Sequence, residues 1–195
     1  MTTLCGAAYE RALPLHIDYG TLLGIMRDGD LIAWDDDIDL ACEARFAPLL
    51  EKLLVEQVQK IDDAIDWSVR RDSDCNDCAL HFYISFKPKV AGAYQPFSVS
   101  IAIKGIVGDK AIKLSSFGAW HNPACHLDGL DKINWQGTNI YVPNDPDGYL
   151  RFTYGNWRSP KKDLSVGDGE NWECVSIDTI KKAQLKSEFI FKQDD

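Results

Sequence analysis

The sequence predicts one α/β domain, in which a small mixed sheet is flanked by helices. Two observations predict this class. The order strand, glycine-containing turn, helix and strand occurs between residues 15 and 40. Farther along, alternating apolar residues typical of half-buried strands occur beside a segment with the apolar spacing of an amphipathic helix. The chain has 195 residues, enough for one domain with its own core, and no repeat or low-complexity linker divides residues 1–195.

Helix and strand signals define the N-terminal elements. A helix is predicted over 3–13, because Thr2 or Thr3 can cap it and Pro14 ends it. The next elements in order are a strand over 15–19, a helix beginning within 22–26, a turn at 27–30 and a strand over 31–40. An amphipathic helix is predicted over 47–60, with an apolar face formed by Leu49, Leu50, Leu53, Leu54 and Val58.

The remainder of the chain contributes further strands and two short helices. Strands are predicted over 80–86, 97–103, 111–114 and 138–142. Asp145 followed by Pro146 is a helix-start signature. This helix is expected to end near Tyr154, since Gly155 suits the left-handed conformation that terminates helices. A last helix is predicted over 177–186.

Charge and composition argue against two classes of partner. The chain has 21 Lys and Arg against 30 Asp and Glu, a net charge of −9, which is unlike a protein that binds nucleic acid by neutralising phosphates. No apolar run approaches the roughly 20 residues that span a bilayer, so no membrane span is expected. Residues 1–5 lack the basic start and long apolar stretch of a signal peptide, and a cytoplasmic protein is therefore expected.

The six cysteines are scattered, and only Cys75 and Cys78 have a spacing typical of a metal site. A zinc site would need two further ligands. The candidates are His81, His121, Cys125 and His126. Because a single CxxC pair has no second pair to complete it, free thiols in a reduced compartment are favoured over zinc.

A dense acidic run, Asp35-Asp36-Asp37-Ile38-Asp39, is the most informative local feature. In a strand, alternate residues share a face, so Asp35, Asp37 and Asp39 would point the same way. Carboxylates this close repel one another unless a cation lies between them. Mg²⁺ or Mn²⁺ is therefore expected here, with Asp37 and Asp39 as the principal ligands and Asp35 or Asp36 assisting.

The acidic run has two other possible interpretations, a solvated loop and a calcium site. Most acidic runs are solvated loops, but the apolar residues that alternate with the last aspartates favour a half-buried strand. A calcium-binding EF-hand is excluded, because Leu40 stands where its loop requires glycine and Phe46 stands where it requires glutamate.

Residues 18–40, from Asp18-Tyr19-Gly20-Thr21 to Asp37-Ile38-Asp39-Leu40, closely resemble the signature of the LicD/fukutin family. A second, shorter match includes Val142-Pro143, Tyr149-Leu150 and the segment 154–160. The resemblance implies a nucleotidyltransferase-like fold. It also implies a metal-dependent transferase that moves a phosphorylated alcohol, such as phosphocholine or ribitol phosphate, from a nucleotide-diphosphate-linked (CDP) donor to a hydroxyl of a glycan acceptor. Asp37 and Asp39 would be the catalytic residues.

Several residues of the two matching segments are candidates for binding substrate. Gly20 and Thr21 would let backbone N–H groups approach phosphate oxygens, and Arg27 would add a bidentate contact. Tyr154 and Arg158 would bring an aromatic face and a cation to the substrate. The structural alternatives are a plain tight turn for Gly20, a surface ion pair for Arg27 and core packing for Tyr154.

The sequence departs from the family pattern at the metal site and beside it. Tyr19 stands where the family usually has a first glycine, and Ala33 stands where it has proline. Nucleotidyltransferases usually draw a third carboxylate from a neighbouring strand, but the strand at 97–103 offers only Ser98, Ser100 and Ala102 on its polar face. The candidates to replace that carboxylate are Asp35, Asp109 and Asp128.

Two alternative functions therefore stay open. One is a glycosyltransferase, in which an Asp-x-Asp pair holds a metal against a sugar nucleotide. The upstream Gly-Thr turn and the short stretch of chain before Asp37 favour the nucleotidyltransferase class over it. The other is a catalytically degenerate relative that binds a nucleotide or a glycan without turnover.

Overall fold

The computed structural model describes residues 1–61, 65–72, 78–86, 97–115, 118–159 and 174–175. The helices are α1 (Thr2–Glu10), α2 (Tyr19–Asp28), α3 (Ala47–Ile61) and α4 (Pro146–Tyr154). The strands are β1 (His16–Ile17), β2 (Asp37–Glu43), β3 (Ile65–Asp72), β4 (Cys78–Phe86), β5 (Ser98–Val107), β6 (Lys110–Ser115), β7 (Gly118–Pro123), β8 (Asp131–Trp135), β9 (Thr138–Val142) and β10 (Cys174–Val175).

The strands form one mixed sheet in the order β10-β7-β6-β5-β2-β1-β9-β8, and β4 joins β5 to β3 outside this path. At its centre β2 runs parallel to β5 and antiparallel to β1. The register between β2 and β5 pairs Asp37 with Ser98 and Asp39 with Ser100. The predicted class, a mixed sheet with helices, is confirmed.

The two faces of the central strands differ in chemistry. One face carries Ile38 and Leu40 of β2 and Val99 and Ile101 of β5, which share a buried cluster with apolar residues of α1 and α3. Each fully buried Leu or Ile side chain stabilises the fold by about 1.5–3 kcal/mol. Because side chains alternate along a strand, the opposite face of β2 carries Asp37 and Asp39. Apolar packing on one side thus fixes the carboxylates on the other.

The prediction for the aspartate strand is wrong at its start. Strand β2 begins at Asp37, whereas the sequence pattern predicted a strand from residue 31. The preceding residues form a turn in which the Asp35 N–H donates to the Ile32 carbonyl at 3.0 Å. Asp35 therefore does not share a strand face with Asp37 and Asp39, and its position is set by the turn that precedes β2.

Other boundaries are confirmed or shifted. Helix α3 matches the predicted 47–60, and α4 ends at Tyr154 as predicted. Gly155 has a positive φ of +64°, but its ψ of −120° lies outside the predicted left-handed conformation. Helix α2 begins at Tyr19, three residues before the predicted range, because Asp18 caps it. The sequence analysis did not predict β3, β7, β8 or β10. The predicted helix at 177–186 lies outside the described residues. No α-helix in the described part of the chain is long and apolar enough to cross a membrane.

Candidate active site

The first turn of α2 holds Asp39 in place. Asp18 caps this helix, since its carboxylate accepts a hydrogen bond from the Tyr19 N–H at 2.9 Å. The Gly20 N–H donates to Asp39 Oδ2 at 3.2 Å, and the Asp39 N–H donates to the Thr21 hydroxyl oxygen at 2.8 Å. Gly20 and Thr21 thus fix both the side chain and the backbone of Asp39.

The absence of a side chain at Gly20 leaves room for two carboxylates. A Cβ atom at Gly20 would lie 2.6 Å from Asp35 Oδ2 and 3.5 Å from Asp39 Oδ2. One carboxylate oxygen from each of Asp35, Asp36 and Asp37 lies within 4.8 Å of the others. Asp35 thus lies close to Gly20, as Asp39 does, and also close to Asp36 and Asp37. These four aspartates form a single acidic cluster beside Gly20.

The electrostatics of the cluster fit a hard divalent cation. Burial raises the pKa of Asp39 to about 7, and the negative charges of Asp37 and Asp18 add to this effect. Burial also raises the pKa of Asp37, followed by the charge of Asp35. Ionising several adjacent carboxylates is unfavourable unless a cation offsets their repulsion. Carboxylate oxygens are also the ligands that Mg²⁺ and Mn²⁺ prefer. The donor set thus suits the expected metal.

Strand β5 supplies no third carboxylate to this cluster. The residues paired with Asp37 and Asp39 are Ser98 and Ser100. The Ser100 hydroxyl is hydrogen-bonded to His81 Nε2 at 2.8 Å. Burial, with the nearby charge of Lys113, lowers the pKa of His81 to about 3, so the imidazole is neutral. A neutral Ser–His pair thus stands at the position expected for the third carboxylate.

Asp109 and Asp128 do not replace the missing carboxylate. Both line an open cleft of about 620 Å³ together with Glu43. Glu43 follows Asp39 on β2 by four residues, a distance of about 13 Å along a strand. The suggestion that Asp109 or Asp128 completes the cluster is therefore corrected, and Asp35 is the candidate that lies within it.

Arg27 lies at the other end of α2 from the cluster. It follows Gly20 by seven residues, about 10 Å along a helix axis. Its Nε and Nη2 atoms donate to the two carboxylate oxygens of Asp28 at 2.9 and 2.7 Å. The structure thus places Arg27 in a local ion pair and does not bring it to the aspartates.

The second segment divides between the cluster and the surface. Tyr154 is 4% exposed, and its pKa is raised by burial and then by the charges of Asp39 and Asp18, which places it within electrostatic range of the cluster. The Arg158 side chain is 62% exposed and lies 2.7 Å from Asp147 of α4. Tyr154, the last residue of α4, is therefore part of the buried core, whereas Arg158 lies at the surface. Pro160, the last residue of this segment, lies outside the described residues.

The proposed zinc ligands have other neighbours. His126 Nδ1 is hydrogen-bonded to the Asn144 carbonyl at 2.7 Å, and His81 is bonded to Ser100 as described. Cys125 is exposed and lines the cleft at the other end of β2. Cys75 lies outside the described residues, and among those described the aspartates are the one group arranged to hold a metal.

A family model described as LicD/FKTN/FKRP, nucleotidyltransferase domain, matches residues 12–145. The chain belongs to this family. The match contains α2, all four clustered aspartates and the central strands, which are the elements that build the site. Membership of the LicD family places the chain among nucleotide-related transferases. No curated protein sequence matches the chain.

Two solved structures resemble the chain at a distance. The lincosamide antibiotic adenylyltransferase LnuA, with lincomycin bound, is 12% identical, with 83% of this chain and 85% of that chain covered and a TM-score of 0.44. ANT(2")-Ia in complex with adenylyl-2"-tobramycin is 16% identical, with 73% and 66% covered and a TM-score of 0.42. Both likenesses are weak in sequence and in structure.

A buried polar network joins the two LicD-like segments, and the sequence did not reveal it. Lys104 of β5 is fully buried, with its Nζ 2.6 Å from Asp18 Oδ2. The same Nζ donates to the Tyr149 hydroxyl at 2.7 Å, and that hydroxyl donates to Asp18. Asn122 lies 3.2 Å from Lys104 Nζ and also bonds Thr153. The available signal was Asp18 directly before a helix, the usual N-cap position, but its partner is 86 residues away in sequence.

Proposed function

We propose that this LicD-family domain is a metal-dependent transferase. It moves a phosphorylated alcohol of the phosphocholine or ribitol phosphate kind from a CDP-linked donor to a glycan hydroxyl. The observation that carries the proposal is the convergence of Asp35, Asp37 and Asp39 beside Gly20 at the first turn of α2. The family assignment supports the nucleotide-related part, and the resemblance to LicD/fukutin sequences supports the donor and acceptor classes.

Each residue of the cluster has a proposed role. Asp37 and Asp39 are the principal ligands of Mg²⁺ or Mn²⁺, and Asp35 assists. The bound cation would neutralise negative charge that develops on the leaving nucleotide phosphate. Gly20 and Thr21 keep Asp39 aligned, and the positive end of the α2 dipole favours an anionic group nearby.

Tyr154 is proposed to line the substrate side of the cluster. Its ring is buried next to the aspartates, where an aromatic face can pack against a sugar or a base. Arg158 is proposed to reach the substrate only by leaving Asp147, from which it is 2.7 Å away. Because that ion pair is exposed, breaking it costs about 0–1 kcal/mol.

A second candidate function is binding without turnover. It is favoured by the serines that face Asp37 and Asp39, where a third carboxylate is usual. A cluster with one ligand fewer could hold a single cation and a nucleotide yet position the reacting groups poorly. Metal-dependent nucleotide binding without product would identify this case.

The test is a transfer assay with CDP-choline and CDP-ribitol, each with Mg²⁺ or Mn²⁺ and a panel of oligosaccharides, read by mass spectrometry. We expect a phosphoalcohol-modified glycan together with cytidine monophosphate. Asp39→Asn should abolish the product, while Asp30→Asn, an exposed aspartate beyond α2, provides a control with the same charge change. A nucleotidylated product would instead indicate nucleotide transfer, and a sugar transferred from a sugar nucleotide would indicate a glycosyltransferase.

A further inference from the structure

Tyr19 adopts a backbone conformation that favours glycine. Its φ is +36°, and the matching family signature usually has a glycine at this position. Residues other than glycine keep a positive φ only where the surrounding structure fixes their backbone, and such residues are often found at functional sites. The contacts of the Tyr19 ring are therefore informative.

The ring of Tyr19 is in contact with two lysines. Lys104 Nζ is 5.0 Å from the ring centroid and Lys113 Nζ is 4.8 Å from it, within the range of cation–π contacts. The two cations differ in their partners. Lys104 is neutralised by Asp18 at 2.6 Å, whereas Lys113 has no carboxylate within 4.0 Å among the residues that the structure describes.

Lys113 lies on the same side of the sheet as the aspartate cluster. It pairs with Lys104 across β5 and β6, and alternation along β5 puts Lys104 on the face of Ser100 and Asp39. Burial raises the pKa of Asp39, and the Lys113 ammonium opposes that rise, as it does at Asp37. The ammonium is thus near the cluster but bound to none of its carboxylates.

We infer that Lys113, held by the ring of Tyr19, binds the diphosphate of the nucleotide donor beside the aspartate cluster. This inference rests on the proposed function and names the residue that recognises the phosphate. A diphosphate placed next to four aspartates requires positive charge besides a single divalent cation. Lysine binds phosphate as a point charge, and Ser100 adds no competing carboxylate on the neighbouring strand.

The alternative role for Lys113 is to balance the charge of the aspartates. In that role its replacement would leave the affinity for phosphate compounds unchanged, whereas phosphate binding by Lys113 predicts a loss of that affinity. Isothermal titration with cytidine diphosphate, adenosine diphosphate and pyrophosphate, each with Mg²⁺, should show at least tenfold weaker binding for Lys113→Gln. Mn²⁺ alone should bind this variant as tightly as the wild type or more tightly. Lys113→Arg should recover most of the phosphate affinity, and Lys132→Gln, an exposed lysine on β8, should retain all of it.

A second variant tests the part of Tyr19. Tyr19→Gly relieves the positive φ and removes the ring without changing the charge, so phosphate affinity should fall although Lys113 remains. Circular dichroism and melting curves verify that each variant is folded. Unchanged phosphate affinity in folded Lys113→Gln overturns the inference and leaves the proposed function intact. If the wild type binds pyrophosphate but not cytidine diphosphate, and Lys113→Gln does not bind pyrophosphate, the inference is supported and the proposed donor is rejected. A wild type that binds none of these compounds overturns both.

Discussion

At the scale of single residues, the site depends on one position that has no side chain. Gly20 lies where Asp35 and Asp39 approach the first turn of α2, and its N–H holds Asp39. The sequence indicated that this glycine was functional but assigned it a direct contact with phosphate. In the structure the space and the hydrogen bond at Gly20 serve the carboxylates that would bind the cation, and the contact with phosphate stays a prediction.

Gly20→Ala should therefore separate folding from metal binding. Alanine favours a helix over glycine by up to about 1 kcal/mol, so the melting temperature should be unchanged or higher. The new Cβ would lie 2.6 Å from Asp35 Oδ2 and must displace that carboxylate. We expect Mn²⁺ affinity, measured by calorimetry, to fall about tenfold or more. Equal affinity in the two proteins would show that Asp35 is not a ligand.

At the scale of elements, the sequence predicted best the helices with clear local signals. The apolar spacing of α3 and the Asp145-Pro146 start of α4 depend on residues within the helix itself. The predicted start of β2 was wrong because the apolar residues 31–34 precede the alternating segment without a break, whereas the strand begins only where Asp37 pairs with Ser98 of β5. Strand ends are set by partners distant in sequence, and a local pattern does not contain them.

The cap of α4 offers a test at this scale. The Asp145 side chain accepts a hydrogen bond from the Gly148 N–H at 3.1 Å, and its φ is +49°. Asp145→Ala removes the acceptor and is also less tolerant of positive φ, so urea denaturation should show a loss of about 1–2 kcal/mol. Asp145→Asn keeps both properties and should lose less than about 0.5 kcal/mol. Equal losses in the two variants would mean that the cap contributes little.

At the scale of the whole molecule, a buried ion pair holds the two LicD-like segments together. Asp18 caps α2, Tyr149 belongs to α4, and Lys104 of β5 contacts both. The pairing of β5 with β2 brings Lys104 to the aspartate side of the sheet, and the sequence could not predict this because it follows from tertiary structure alone. Asp37 and Asp39 could be proposed from their local pattern, whereas Lys104 and Lys113 approach them only through the pairing of β2 with β5 and of β5 with β6.

Breaking this pair should be costly, and removing both charges should be less so. Lys104→Met leaves the Asp18 charge fully buried without its cation, which costs about 3–5 kcal/mol. The double variant Lys104→Met, Asp18→Asn removes both charges and should recover most of that stability in urea denaturation. If the double variant were as unstable as the single one, packing around Lys104 and not its charge would be responsible.

The central claim is that the aspartate cluster binds a divalent cation for phosphate chemistry. The most direct test is a Mn²⁺ titration of the wild type, Asp37→Asn, Asp39→Asn and the control Asp30→Asn, followed by electron paramagnetic resonance with and without cytidine diphosphate. Because a cation relieves the repulsion among the carboxylates, we predict binding to the wild type and to Asp30→Asn, strengthened by the nucleotide and lost in Asp37→Asn and Asp39→Asn. Wild-type protein that binds no Mn²⁺ under either condition, or Asp37→Asn and Asp39→Asn variants that bind it as the wild type does, would contradict the account.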